Sequence, residues 1–467
     1  MKLNPKWGWI LAGVFTAGVL WAYFAGGRPR RLTIAIHESI EGDALREIAK
    51  RFSTAHKIEV QVLEFSYDDL YDKEMAQLRN QRDDLTPAFD VIMVDDPWLP
   101  ALTGKVNDND KSRLETLTIS DVDDFPGPTL RVAKYCPGTN CPSEYYGVPF
   151  VGNSQLFCYR KAAFPKPEMA PMTWDAVVEF VKKQRNQPGT HDTRPYVGRI
   201  GPGNSIVTDF VSLLWSHDPS VFPETLPQAS ATQALSLGSK GKVALDDLYA
   251  LAGGQNGSTS VDDFDLAAYM LKEKASMAIV WSAWAMMIEN LRPQGSSDLQ
   301  FASVPGGSTP ELGVWLLAVP TGSRMTPEAR EFIQFATSKE QLLRAALIGN
   351  PPPRKSILQN PADIAGQYPD LRKQSVYDQL DKYESSFKYQ LDSLERARPR
   401  PRTPRWREIE CILGKYLSKV VVENMDTKMA VDKLDSKLKE CTTSLISACE
   451  DPPECHNASL QAPTTRN

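Results

Sequence analysis

The chain of 467 residues lacks the short signatures of several large enzyme classes. It has no Gly-x-Ser-x-Gly nucleophile elbow, no Gly-x-x-x-x-Gly-Lys-Ser/Thr phosphate loop and no His-Glu-x-x-His zinc helix. Gly238-Ser-Lys-Gly-Lys242 has the residues of a phosphate loop without its spacing. An excess of positive charge is also missing. The net charge is -5, which argues against nucleic-acid binding as the global role. No repeat of fixed period runs through the chain. There are 7 cysteines, and neither close pair stands beside the His or Cys set that zinc needs; His456 is alone. No metal or other cofactor is expected. Proline is the residue in excess, at 35 of 467 or 7.5% against a typical ~5%, so many loops are stiffened. Hydrophobic content of 42% and charged content of 24% are ordinary for a globular protein, and the length suits two or three domains.

No charge interrupts the run from Trp7 to Gly27, which follows Lys2 and Lys6. Its 21 residues exceed a signal-peptide core and match the ~20 needed to span a bilayer. Ala25-Gly26-Gly27 is the one weak cleavage site, and no cysteine is near to carry a lipid. Arg28, Arg30 and Arg31 balance the basic residues on the other side, so charge does not fix orientation. The expectation is an uncleaved anchor with the body exported, the alternative a cleaved signal. Export agrees with the cysteines. Cys136 and Cys141 flank Pro-Gly-Thr-Asn, and Cys449 and Cys455 flank Glu-Asp-Pro-Pro-Glu, turn sequences that suit local disulfides. Cys411–Cys441 is a weaker third pair, resting on a helical hairpin that turns near Asn424. Cys158 lies in an apolar strand and reads as core.

The stretch Phe89-Asp-Val-Ile-Met-Val-Asp-Asp-Pro-Trp98 is the most informative. Val91 to Val94 read as a strand buried on both faces, and it stops at Asp95 and Asp96. In open α/β sheets the carboxyl ends of strands face the binding crevice. Acceptors beside an indole suit the hydroxyls and the C–H face of a sugar. The competing reading is that the carboxylates cap a helix from Trp98 to Leu102.

Around this stretch the order is β-α-β-α-β. Leu32–Ile36 is a strand, Ala44 to Phe52 repeat at helical spacing, and Ile58, Val60 and Val62 alternate. Leu70, Tyr71, Met75 and Leu78 mark a second helix. The order predicts a parallel, doubly wound sheet, with His37 and Glu38 at the same crevice edge as Asp95. The pattern restarts at Tyr146, with an extended Val148–Tyr159, a helix capped by Thr173, a helix at Ala268–Leu271 and a strand at Ser276–Trp281. Thr326-Pro327 begins a helix as cap and first position. Ala397 to Arg405 is a proline-arginine linker, solvated or a basic contact patch, before a helical C-terminal part.

Tyr146-Gly-Val-Pro-Phe-Val-Gly-Asn-Ser-Gln-Leu-Phe-Cys-Tyr-Arg-Lys161, Thr173-Trp-Asp-Ala-Val-Val-Glu-Phe180, Lys274-Ala-Ser-Met-Ala-Ile-Val-Trp-Ser-Ala-Trp284, Gly313-Val-Trp-Leu-Leu-Ala-Val-Pro-Thr-Gly-Ser323 and Gly349-Asn-Pro-Pro-Pro-Arg-Lys-Ser-Ile357 follow the Phe89 stretch in order. With Arg398-Pro-Arg-Pro-Arg-Thr-Pro404, they make residues 32 to 445 resemble the extracellular solute-binding proteins of sugar ABC transporters, the family of maltose-binding proteins. The resemblance implies an α/β fold of two lobes with doubly wound sheets, closing on ligand about a hinge. It places a signal or anchor at 1–31, one lobe at 32–150 with 317–365, the other at 151–316 with 366–450, and a disordered tail at 451–467.

Carried over by position, the ligand contacts are His37, Glu38, Glu41, Tyr67, Asp95 and Trp98 from the first lobe. Asn153, Gln155 and Trp315 come from the crossovers, Trp281, Ser282 and Trp284 from the second lobe, and Arg354 from a loop. Core packing is the competing role for each tryptophan, and it wins for Trp174. The implied function is capture of a mono- or oligosaccharide by a monomer and delivery to ABC permease subunits at the outer face of the cytoplasmic membrane. The spanning-length run, the missing lipidated cysteine and the cysteine-bearing tail depart from the family and favour, as the alternative, a membrane-tethered sensor. Asp95 with Glu38 would also suit a carbohydrate-active enzyme, but nothing else in the sequence supplies catalytic machinery.

Overall fold

The structure, a computed structural model, describes residues 31–80, 88–104, 112–135, 144–164, 173–186, 193–201, 203–224, 235–253, 260–292, 298–307 and 309–443. The run 7–27 and Cys136, Cys141, Cys449 and Cys455 lie outside these residues. Among the described residues no helix is long and apolar enough to cross a membrane.

Strands β1 (Arg31–His37), β2 (Glu59–Phe65) and β3 (Val91–Asp95) pair in parallel, with β1 between the other two. The helices Ile40–His56 and Tyr67–Leu78 make the crossovers. Ser39 and Ser66 cap them, each hydroxyl accepting a backbone N–H of the first turn. Alternation of apolar residues along β1 and helical spacing along Ala44, Leu45, Ile48, Ala49 and Phe52 account for this half, and all of those helix residues are buried.

Strand β4 (Val148–Arg160) is 13 residues long and serves both lobes. Val148 to Ser154 pair antiparallel with β7 (Leu312–Ala318), which in turn pairs with β3. From Gln155 onward β4 pairs with β5 (Met277–Trp281) and β6 (Leu299–Ala302). The sheet order is therefore β2-β1-β3-β7-β4-β5, with β6 also on β4. Two cores result. The first gathers residues of β1, β3 and β7, and the second those of β5, β6 and the second half of β4. Leu371, Leu380, Tyr383, Phe387 and Leu394 pack on the first core, whereas Trp406, Leu413 and Leu438 pack on the second. The stretch after residue 366 thus divides at the linker, because its apolar stripes face different sheets.

The C-terminal helices Trp406–Val421 and Thr427–Thr443 form a hairpin that turns at Asn424, held in the left-handed region at φ 57°. Cys411 and Cys441, one on each helix, are disulfide-bonded, and Cys158 is a buried free thiol. One helix start differs from expectation. Met325 takes the cap of Thr326–Ala336, and the Thr326 hydroxyl donates back to the carbonyl of Ser323 at 3.0 Å.

Candidate functional site

The carboxylates at the end of β3 are used within the protein. Both oxygens of Asp95 accept from Arg400 Nη2 at 3.1 Å, and Oδ2 also accepts from the Tyr67 hydroxyl at 2.7 Å. Asp96 accepts the backbone N–H of Val314 at 2.9 Å, and burial pushes its carboxyl up to about 7. Neither side chain caps the helix Leu99–Leu102. Arg400 comes from the linker and also meets Glu311 at 3.2 Å and Glu410 at 3.4 Å, so one guanidinium faces three buried carboxylates. Arg402 donates to the carbonyls of Asp96 at 3.2 Å and Val132 at 3.0 Å. The linker is therefore neither a solvated connector nor an exposed basic patch at these positions. Arg400 is 3% exposed and Arg402 8%, because the buried acids around them require counter-charge.

An aromatic group stands beside this cluster. His37 stacks on Trp315 at 5.1 Å between ring centres and 12° between planes, with Tyr67 edge-on to both. Burial lowers the His37 pKa to about 4 against the pull of Asp95 and Asp68, so its ring is neutral at pH 7. Trp98 is wholly enclosed, edge-on to Trp315 at 5.5 Å and against Tyr67 and Tyr71. It is a core residue here rather than a cleft wall.

Where β4 crosses between lobes, Asn153 joins two helix starts. Its Nδ2 donates to Glu41 Oε1 at 3.4 Å, in the first turn of Ile40–His56. Its Oδ1 accepts from the backbone N–H of Ala283 at 3.2 Å, in the first turn of Ser282–Leu291. Burial raises the Glu41 pKa, with a further push from Asp263 and Asp95. The Trp281 ring lies over Gly313, partnered with Asn153 across the β4–β7 ladder; a Cβ there would meet Trp281 Cζ3 at 2.9 Å, so the indole requires the glycine. Trp281 and Trp284, one helical turn apart, are both partly exposed, and Trp284 meets Phe264 edge-on at 6.4 Å.

Glu41, Asn153, Trp281 and Trp284 are thus gathered at the junction of the lobes, with His37, Tyr67 and Trp315 along the β1 and β3 ends. Glu38 is exposed at the same edge. Three other residues do not join them as free contacts. Gln155 is fully buried, its amide donating to the Thr208 carbonyl at 3.1 Å and its oxygen accepting from the Glu311 N–H at 3.3 Å and from Ser212. Ser282 is fully buried and donates to the Ser154 carbonyl at 2.9 Å. Arg354 lies apart, over the Phe125 ring and on Asp124 and the Thr337 carbonyl, at a separate cavity of about 460 Å³. Arg400, Arg402, Glu311 and Glu410 escaped a reading that takes charge runs as solvated. The usable signal was arginine at every second position, Arg398, Arg400 and Arg402, which an extended chain turns to one side.

Residues 37–342 match the model of the bacterial extracellular solute-binding proteins. The chain belongs to that family. A probable amino-acid ABC transporter periplasmic-binding protein of Sinorhizobium fredii is 24% identical over 329 residues, 68% of this chain and 71% of that one. Among solved structures, maltose-bound MalE3 of T. maritima superposes with a TM-score of 0.67 at 20% identity, covering 88% of this chain and 99% of that one. A solute-binding protein of Agrobacterium radiobacter K84 in complex with ribitol gives 0.65 at 19%, covering 88% and 99%. The sugar-binding MalE of Xanthomonas citri gives 0.65 at 18%, covering 88% and 97%. These structures share the two-lobe α/β fold of this solute-binding protein.

Proposed function

We propose that the protein captures a carbohydrate, a mono- or oligosaccharide, between its lobes and hands it unchanged to the permease of an ABC transporter. The observation that carries this reading is the Glu41–Asn153–Trp281 junction, where β4 crosses from one core to the other. A buried amide and carboxyl, bonded to each other, stand there beside partly exposed indoles, which brings hydrogen-bonding groups and flat apolar faces together, the combination a sugar needs. The two lobes follow the two cores, so that closure buries this junction. Two similar structures hold maltose and ribitol, which agrees with a polyhydroxylated ligand, while the S. fredii relative is a probable amino-acid binding protein. A thermal-shift screen against sugars, polyols and amino acids tests the reading. The ligand at ~100 times its dissociation constant should stabilise the protein by about 2.7 kcal/mol and be recovered unaltered. The Trp281→Ala variant should fold and lose most of that shift. A new product in chromatography would sink the binding-protein reading, and a shift from amino acids alone would replace the ligand class.

The family places the body outside the cytoplasm, in the periplasm. The finer proposal is a tether through residues 7–27, which are uncharged and long enough to span. The membrane fraction should keep the protein through an alkaline carbonate wash. A soluble mature chain starting near residue 26 would show a cleaved signal instead. A tether also leaves room for a second reading, a sugar sensor of the same fold, which neighbouring permease genes would count against.

A further inference from the structure

We propose that Arg407 is an interlobe latch, a positioning residue that holds the lobes together before any ligand arrives. This rests on the proposed closure of the lobes but on no particular ligand. Arg407 lies in the first turn of the helix Trp406–Val421, whose Trp406, Ile409 and Leu413 are buried in the second core. Its guanidinium leaves that core. It pairs with Asp68, in the first turn of Tyr67–Leu78 on the first lobe, and lies over the rings of Tyr67 at 5.1 Å and Tyr71 at 5.5 Å. On its own side Glu410 holds it at 2.9 Å. A cation at a helix start is disfavoured by the helix dipole, whereas Asp68 is well placed at the start of its own helix. Glu410 offsets that cost from within the helix, and the contact across supplies the rest.

The latch also reaches the site. Tyr67 gives its hydroxyl to Asp95 and its edge to His37 and Trp315. A guanidinium on the ring face fixes Tyr67 in that setting through a cation–π contact. Three further ties run in parallel, the first being Arg400, which bridges Asp95 of the first lobe and Glu410 on the helix that carries Arg407. Arg131 of the first lobe meets Glu224 of the second at 3.0 Å, and the backbone of Arg402 bonds the Glu224 carbonyl at 2.7 Å while its guanidinium bonds the carbonyls of Asp96 and Val132. Of these contacts, the Arg407 pair joins two helices from opposite cores and bears directly on a candidate ligand contact.

Small-angle scattering of the full-length protein without ligand tests the latch. The wild type should be compact, and Arg407→Gln and Asp68→Asn should each raise the radius of gyration. The double variant should expand no further than either single one, since both remove one contact. At 1 M salt, where the screening length is ~3 Å, the wild type should move toward the variants. Circular dichroism and melting show whether each variant is folded. Should Arg407→Gln fail to fold, Asp68→Asn carries the test, because Asp68 is partly exposed. A folded Asp68→Asn or Arg407→Gln with wild-type scattering overturns the latch, as does a ligand-free wild type as expanded as the variants. Expansion of the variants together with no stabilising ligand in the thermal-shift screen would keep the latch and remove the carbohydrate reading.

Discussion

Replacing Arg400 with methionine should cost about 3–5 kcal/mol of folding stability near pH 8, the range for removing one partner of a buried ion pair. Arg400 is the shared counter-charge of Asp95, Glu311 and Glu410, each buried, with contacts of 3.1, 3.2 and 3.4 Å. Methionine keeps the volume of the stem and removes the charge. Glu311 would then have no cation, while Glu410 would keep Arg407 and Asp95 the Tyr67 hydroxyl. Burial already raises Glu311 and Glu410 above ordinary glutamates, with Arg400 pulling both down; without it they rise further. A carboxyl raised in the folded state contributes stability at low pH and loses it as pH rises through the folded value. The deficit of Arg400→Met should therefore shrink as pH falls from 8 toward 5. Urea unfolding at the two pH values checks both claims. A deficit under 1 kcal/mol at pH 8 would mean that water solvates the cluster without the arginine.

This cluster also marks the limit of what the sequence discloses. The first half of the fold was legible because local periodicity decides it: β1, β2 and the two crossover helices contain or overlap their apolar patterns and run up to four residues past them, and β3 is the apolar run before Asp95. The crossing strand β4 was legible as one long apolar stretch, and the C-terminal hairpin by its turn near Asn424. Partners far apart in sequence were not. Asp95 and Arg400 are separated by 305 positions, and a strand-end carboxylate awaiting a ligand looks the same in sequence as one awaiting a distant arginine. Trp98 was ambiguous for a related reason: Tyr67 and Tyr71 of the helix before it enclose it, and no local pattern records that lid. Gln155 and Ser282 sit in the expected crossover, yet Thr208 and Ser154 take up their hydrogen bonds. Of the candidate site, Trp281 and Trp284 keep partly exposed faces, beside Glu41 and Asn153, which are buried.

Glu74→Met should stabilise the protein by about 1–3 kcal/mol, the cost of a buried polar group without a partner, and by more at pH 7 than near pH 4.5. Glu74 occupies the apolar stripe of the helix Tyr67–Leu78 with Leu70, Met75 and Leu78, and is fully buried. Neither carboxyl oxygen has a hydrogen-bond partner among the described residues. Burial alone lifts its pKa well above the 4.5 of a solvated glutamate, so the folded protein keeps the proton to a higher pH than the unfolded chain does. The unfolded chain gives that proton up above pH 4.5. Folding stability therefore falls as pH rises from 4.5 toward the raised folded value, by up to about 1.36 kcal/mol for each pH unit. Methionine has a similar length, no proton to trade and no polar atom that must be satisfied in the core. Its gain should therefore grow with pH, and urea midpoints at pH 5 and 7 measure the growth. An equal gain at both pH values would show that Glu74 is not held protonated. A loss at pH 7 would show that its carboxyl has a partner worth more than its burial costs.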